Sequence, residues 1–171
     1  MVQKGKRVGI LDADIFGPSI PRLLSLSGEP RTNEREDTKE MDVIVESRIL
    51  PLTNYGLKAM SMGFLVPDEN AIVWRGLMVM KALQQLLHEV EWGGLDVLVI
   101  DMPPGTGDTQ LTITQQIFLD GNFRRPSQLN SGVAIVSTPQ DIALIDAVRG
   151  INMFRKVNVP VDNSVRAGIN H

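Results

Sequence analysis

Asp96-Val97-Leu98-Val99-Ile100-Asp101-Met102-Pro103-Pro104-Gly105-Thr106-Gly107-Asp108 is the run that decides the fold of this chain. Its apolar residues, Val97, Leu98, Val99 and Ile100, form a short valine-rich stretch that reads as a strand buried on both faces, the habit of a parallel sheet. Asp101 stands where that strand ends, and open parallel sheets carry their chemistry outside the carboxyl ends of their strands. Pro103 and Pro104 forbid helix, while Gly105 and Gly107 permit a tight turn ahead of Asp108. An acid at a strand tip followed by a Pro-Gly loop is the layout of a metal site beside a phosphate-sensing loop. Taken alone, the stretch also fits a core strand that ends in an ordinary turn.

Towards the N-terminus, Val8, Gly9, Ile10 and Leu11 make a second apolar run, closing on Asp12-Ala13-Asp14 and then Ile15-Phe16-Gly17-Pro18-Ser19. Residues 20–24 are weakly helical, with Pro21 tolerable only in a first turn. Residues 57–64 read as a strand followed by a turn. Residues 77–90 set Leu77, Met78, Ala82, Leu83, Leu86, Leu87 and Val90 three and four apart, as one face of an amphipathic helix requires. The methionines there are core filling, and His88 is a boundary residue with no partner at ligand spacing. Towards the C-terminus, residues 110–117 resume as helix, and 133–137 read as a further buried strand ending in Thr138-Pro139-Gln140-Asp141. Residues 142–157 read as a helix with Leu144, Ile145, Val148, Ile151 and Phe154 on its apolar side. Strands alternating with helices argue an α/β fold with a mainly parallel sheet. Residues 29–48 are dense in charge and are expected as solvated loop. Residues 118–132 read as an irregular insertion, and 162–171 show no period.

The 171 residues suit one domain. A net charge of −3 gives no basic footprint for nucleic acid, and no apolar run approaches the ~20 residues that span a bilayer. The absence of cysteine excludes disulfides, thiolate metal sites and a cysteine nucleophile within this sequence. Residues 1–7 are too short for a signal or transit peptide, so no presequence is expected here.

The two acid-tipped strands deliver carboxylates to one edge of the sheet. Carboxylates converging without histidine or cysteine suit a hard cation such as Mg²⁺, which keeps several waters and is shared with substrate phosphates. Asp12 and Asp101 are expected on or near that shell, through water, and Asp14 is placed to orient a water. Gly105 and Gly107 let backbone N–H groups turn towards a γ-phosphate. Such positioning is most of what phosphoryl transfer asks of a protein.

These residues are recognisable. The run 9–19, Met60-Ser61-Met62-Gly63-Phe64, Val73-Trp74-Arg75-Gly76, the run 100–108 and the run 136–144 resemble the Mrp/nucleotide-binding-protein-like family. That family belongs to the deviant-Walker (ParA/MinD-like) P-loop ATPases. The wording is most like its mitochondrial members, which act in iron–sulfur delivery during respiratory complex I assembly. The resemblance implies a three-layer P-loop NTPase-like α/β fold, here expected to span residues 1–161 as a partial ATPase domain, with 162–171 an aberrant tail. It implies Mg-ATP and a 4Fe–4S cluster as cofactors. A homodimer or a full-length paralogue, together with iron–sulfur apoproteins, are the implied partners, and the mitochondrial matrix, or else the cytoplasm, the implied location. Asp14 corresponds to the catalytic switch aspartate and Asp101 to the Walker B acid. Asp12, Gly17, Pro103, Pro104, Gly105, Thr106, Gly107, Pro139 and Gln140 fall in nucleotide-contacting segments, although Pro139 and Gln140 fit a plain strand-to-helix turn equally well. Trp74 and Arg75 match a family motif and read as a buried ring beside an arginine paired with an acid.

The sequence departs from that pattern. The family's Gly-Lys-Gly-Gly-Val-Gly-Lys loop is not among these residues, and Lys4-Gly5-Lys6-Arg7 lacks its glycines and terminal hydroxyl. The sheet is therefore expected to lack the P-loop strand and to leave an open edge along residues 97–100, and residues 1–171 are expected to show no specific MgATP binding and no measurable hydrolysis. The family's Cys-x-x-Cys pair has no counterpart, so no iron–sulfur ligand is expected. The reading that results is a truncated, ATP-dependent iron–sulfur cluster carrier or assembly factor. One alternative is a catalytically inactive binding or regulatory partner of a full-length paralogue. Another is a ParA/MinD-type positioning ATPase, which would favour a basic DNA-binding face or an amphipathic membrane helix, and neither is present.

Overall fold

The computed structural model describes residues 1–39, 42–65, 76–105, 107, 110, 111, 113, 114 and 132–161. The chain divides into two compact units, Met1–Pro103 and Pro104–His171.

The first unit is built on a sheet of strand order β4-β5-β1-β6, from β1 (Val8–Asp12), β4 (Leu52–Asn54), β5 (Leu57–Ser61) and β6 (Val97–Asp101). β1 lies centrally and runs parallel to both β5 and β6, while β4 pairs antiparallel with β5. The mainly parallel α/β sheet expected from the alternation is thus present. Apolar residues fill its centre: Leu11, Ala59 and Met60 are at most 1% exposed, as is Met62 just beyond β5. Gly9 is required by packing, because a Cβ there would lie 2.6 Å from Leu95 Cδ1 and 3.0 Å from the Trp92 ring. The segment leading into β6 therefore lies directly on the β1 backbone. Arg7 fastens the same place: its N–H donates to Asp96 Oδ2 at 2.8 Å, and its guanidinium to Asp96 Oδ1 at 3.1 Å.

Helices α1 (Ile20–Leu23), α2 (Met62–Leu65) and α3 (Gly76–His88) belong to this unit. Pro21 sits in the first turn of α1, where its missing N–H costs nothing. α3 follows the predicted amphipathic spacing: Ala82, Leu83, Leu86 and Leu87 are buried, as is Val90 just beyond it. Leu77 and Met78, at its first turn, are exposed instead.

The charged run is a correction. Residues expected as loop form β2 (Thr32–Lys39) and β3 (Asp42–Ile49), an antiparallel two-stranded sheet. The ladder runs from Thr32 opposite Ile49 to Lys39 opposite Asp42, so the two strands satisfy one another's backbone groups. The base is held as well, since Ile49 N–H donates to Glu89 O and Ile49 O accepts from Glu91 N–H, both at 2.8 Å. Cross-strand pairing supplies what the missing apolar period does not.

β6 pairs with β1 on one side and, among the described residues, with no strand on the other. Val97, Leu98 and Ile100 are half-buried, Val99 is 41% exposed and Asp101 is exposed. The open edge expected along residues 97–100 is found in the described part of the sheet.

In the second unit, α4 (Asp141–Lys156) covers almost the whole of the predicted last helix. Residues 133–137 do not form the expected buried strand. Val133 makes an isolated parallel bridge to Val161, and Val136 is 92% exposed. The apolar side predicted for α4 is also corrected in its first half, where Leu144, Ile145 and Val148 are exposed. Ala143 and Ala147 are half-buried and Gly150 and Phe154 are buried, a stripe at spacings of four and three that the helix turns inward. Gly150 allows the approach of Ile135, whose Cδ1 lies 3.5 Å from where a Cβ would stand. The insertion expected at 118–132 lies outside the described residues but for Gly132, and the tail 162–171 lies wholly outside them.

Candidate functional site

Three strand tips meet in one row. The register aligns Asp12 at the end of β1 with Ser61 at the end of β5 and with Asp101 at the end of β6. Parallel pairing carries all three carboxyl ends to the same edge, so chemistry dispersed over ninety residues becomes local.

Asp12 is 1% exposed, and three protein donors reach its carboxylate. Oδ1 accepts the Asp14 N–H at 3.1 Å, and Oδ2 accepts the Ile20 N–H and the Ser61 hydroxyl, each at 3.1 Å. Burial pushes this carboxyl above its ordinary range of about 3.8, and the neighbouring Asp101 charge adds to the rise. The Ile20 and Asp14 N–H groups and the Ser61 hydroxyl pull the other way without overcoming the burial. Asp12 therefore closes the turn from β1 to α1 from the inside.

Asp14 is half-buried, and its Oδ1 accepts the Phe16 N–H at 3.0 Å. Gly17 passes close to its other oxygen: a Cβ at 17 would lie 3.4 Å from Asp14 Oδ2. Asp101 has an exposed side chain, while its carbonyl accepts the Ala13 N–H at 2.9 Å, tying the loop after β1 to the tip of β6. Among the described residues no group of three or more acids or histidines is gathered tightly enough to hold a bare ion. A cation that keeps its waters asks less of the protein. Pro103, half-buried, ends the unit.

The loop that follows is described within the second unit. Gly105 takes φ of +108°, open to glycine and strained for other residues. Gln110, 6% exposed, donates from Nε2 to the Pro104 carbonyl at 2.9 Å and so closes the loop on itself. Gly107 is exposed, and Thr106 lies outside the described residues, as do Trp74 and Arg75. Pro139 and Gln140 are exposed at the start of α4. Gln140 is its N-cap, and Gln140 Oε1 accepts the Thr138 hydroxyl at 2.6 Å. That is the geometry of a turn leading into the helix.

Ser61 and Gln110 are the residues sequence reasoning missed. Ser61 lay inside a quoted motif, but its use depends on a partner 49 positions away. Gln110 offered a weaker signal, an amide at the start of the helix that follows a Pro-Gly loop.

The chain matches a known family model, that of ParA-type proteins described as NUBPL iron-transfer P-loop NTPases, over residues 1–166. The chain belongs to this NUBPL-type ParA family. It is 51% identical to the iron-sulfur cluster transfer protein NUBPL of Mus musculus, across 91% of this chain and 42% of that protein. An Arabidopsis thaliana protein described as an iron-sulfur protein required for NADH dehydrogenase, mitochondrial, is 46% identical over 91% of this chain and 42% of its own length. The iron-sulfur cluster carrier protein of Escherichia coli K12 is 48% identical over 94% of this chain and 38% of its own. This NUBPL-family chain thus spans about two fifths of the curated relatives it matches. Among solved structures, a nucleotide-binding protein from Archaeoglobus fulgidus in complex with ADP superposes with a TM-score of 0.65 at 33% identity, covering 93% of this chain and 53% of that one. The α/β P-loop NTPase fold follows from these findings together with the parallel sheet.

Proposed function

We propose that this chain is the nucleotide-responsive part of an ATP-dependent iron–sulfur cluster carrier, serving assembly of mitochondrial complex I. The observation that carries the reading is the family match over residues 1–166, together with the row of strand tips that sets Asp101 beside the turn bearing Asp14. The relatives' names supply the cargo and, for the Arabidopsis protein, the respiratory client and the compartment. The bacterial carriers leave the cytoplasm as the alternative location. No helix among the described residues is long and apolar enough to cross a membrane.

The residues fit Mg-ATP in part. Bound Mg²⁺ would neutralise phosphate charge and align the γ-phosphoryl group. Asp101 and Asp14 would hold its waters, and Asp14 would also orient the attacking water. Asp12 would keep the Asp14 turn in shape from inside. The residues do not fit the cluster: the sequence has no cysteine, so thiolates would come from a homodimer partner, a full-length paralogue or sequence beyond these residues. Iron–sulfur apoproteins would be the recipients.

A second reading is favoured by the open side of β6 and by the lack of a Walker A sequence among these residues. Here the chain is an inactive partner that binds and tunes a full-length paralogue. Calorimetry with MgATP separates the two. Saturable binding by the chain alone, weakened by Asp14→Ala or Asp101→Ala, supports the first. Binding that appears only on mixing with a cysteine-bearing relative, or a changed rate of cluster transfer by that relative, supports the second. Neither response would sink both.

A further inference from the structure

Ser61 is 0% exposed and touches no solvent, yet its hydroxyl is committed in both directions. Its oxygen accepts the Gly63 N–H at 3.0 Å, and its single hydrogen goes to Asp12 Oδ2 at 3.1 Å. That same oxygen accepts the Ile20 N–H, while Oδ1 accepts the Asp14 N–H. One carboxylate thus grips the loop at both ends, two residues and eight residues onward, and Ser61 grips the carboxylate. A second link runs between the same two segments. A Cβ on Gly63 would lie 2.8 Å from Pro18 Cγ and 2.9 Å from Pro18 Cβ, so the backbone at the start of α2 rests directly against the loop.

We infer that Ser61 is a positioning residue of the nucleotide site: acting through Asp12, it fixes the loop of residues 13–19 and hence the place of Asp14. This rests on the proposed ATP chemistry for its purpose, though not for its geometry. Ser61 itself reaches no substrate. A carboxylate with fewer donors has more freedom to rotate, and rotation about the Asp12 side chain would release the Ile20 and Asp14 N–H groups together. The loop would then keep its sequence and lose its aim, and a water-orienting group displaced by about 1 Å loses much of its value. The Gly63–Pro18 contact makes α2 a second determinant of the same loop.

The test uses the chain itself and needs no nucleotide, so a failure of the ATP reading leaves it intact. Amide hydrogen exchange and carboxyl NMR titration are followed in Ser61→Ala, Asp12→Asn and the double variant. Ser61→Ala is expected to speed exchange at the Ile20 amide by about tenfold and at the Asp14 amide in the same direction. Amides of the β1–β5 ladder should stay at their original rates. The Asp12 titration should move upward, because a donor to its ionised form is gone. In the Asp12→Asn background the same serine change should add almost nothing, the mark of two groups acting as one. Should Ser61→Ala not fold, Ser61→Cys, of similar size and with a weak donor, takes its place in the cycle. Unchanged Ile20 exchange, a uniform rise across the whole sheet, or additive effects in the double variant would each overturn the inference.

Discussion

Val97-Leu98-Val99-Ile100 and Val133-Ala134-Ile135-Val136 are nearly interchangeable on paper, and they end differently. The first is β6, in register with β1 from Val97 to Asp101. Its start is fastened by Arg7 and its tip by the Ala13 N–H. The second makes one bridge, Val133 to Val161, and leaves Val136 almost fully exposed. The helices repeat the lesson. α3 buries Leu83, Leu86 and Leu87, whereas α4 turns Ala143, Ala147, Gly150 and Phe154 inward and leaves Ile142, Ile145 and Val148 outside. An apolar period states that a segment is able to bury a face. Whether it does so depends on a partner whose backbone groups and side chains are in reach.

The largest effect should come from emptying the first region's core. Leu83→Ala, at a position 0% exposed, should cost about 2–5 kcal/mol. Val148→Ala, at a position 54% exposed, should change stability by no more than about 0.5 kcal/mol. Urea unfolding measures both; equal losses would erase the contrast between the regions.

Gly9→Ala comes next. The new methyl would meet Leu95 and Trp92 at 2.6–3.0 Å, an overpacking expected to cost about 1–3 kcal/mol. Gly150→Ala in α4 would meet only Ile135, at 3.5 Å, so the helical gain of alanine, about 1 kcal/mol, should dominate there. Opposite signs for the two substitutions sharpen the comparison, and matching signs would break it.

A smaller, pH-dependent effect belongs to Asp12. Its folded value is raised, so between about 3.8 and that value the folded chain binds the proton more tightly than the unfolded chain does. Its contribution is greatest below 3.8 and falls as pH rises through the folded value. The stability of the parent minus that of Asp12→Asn, plotted against pH, should therefore slope downward in that window. An upward slope would mean that the three donors outweigh burial after all. Asp96, lowered by Arg7, works in the reverse sense, losing its contribution as pH falls.

The smallest effect is expected at Trp92, buried on Gly9 with its Nε1–H unpartnered among the described residues. Trp92→Phe gives up apolar contact and also removes an orphan donor that costs about 1–3 kcal/mol. The two should offset to within about 1 kcal/mol. A loss well beyond that, read by thermal unfolding, would show that the indole N–H is satisfied.

Much of the molecule was determined by local sequence. β1, β5, β6, α3 and α4 stand where apolar spacing and the glycines and prolines put them, because periodicity, turn chemistry and helix termini act over a few residues. The acids at the strand tips, and with them the NUBPL-type family, were legible for the same reason. What only the tertiary structure decided is who meets whom. The β2–β3 hairpin is held by backbone pairing between two segments that carry no apolar period. Asp12 became an internal clamp because parallel pairing brings Ser61 beside it and Ile20 folds back over it. The first half of α4's apolar side is exposed, where Ala143 and Ala147 turn inward in place of Leu144, Ile145 and Val148, a choice the spacing of the large residues could not reveal. A carboxylate looks the same in sequence whether it faces water or three donors, and only the packing around it fixes which charge state and which role it takes.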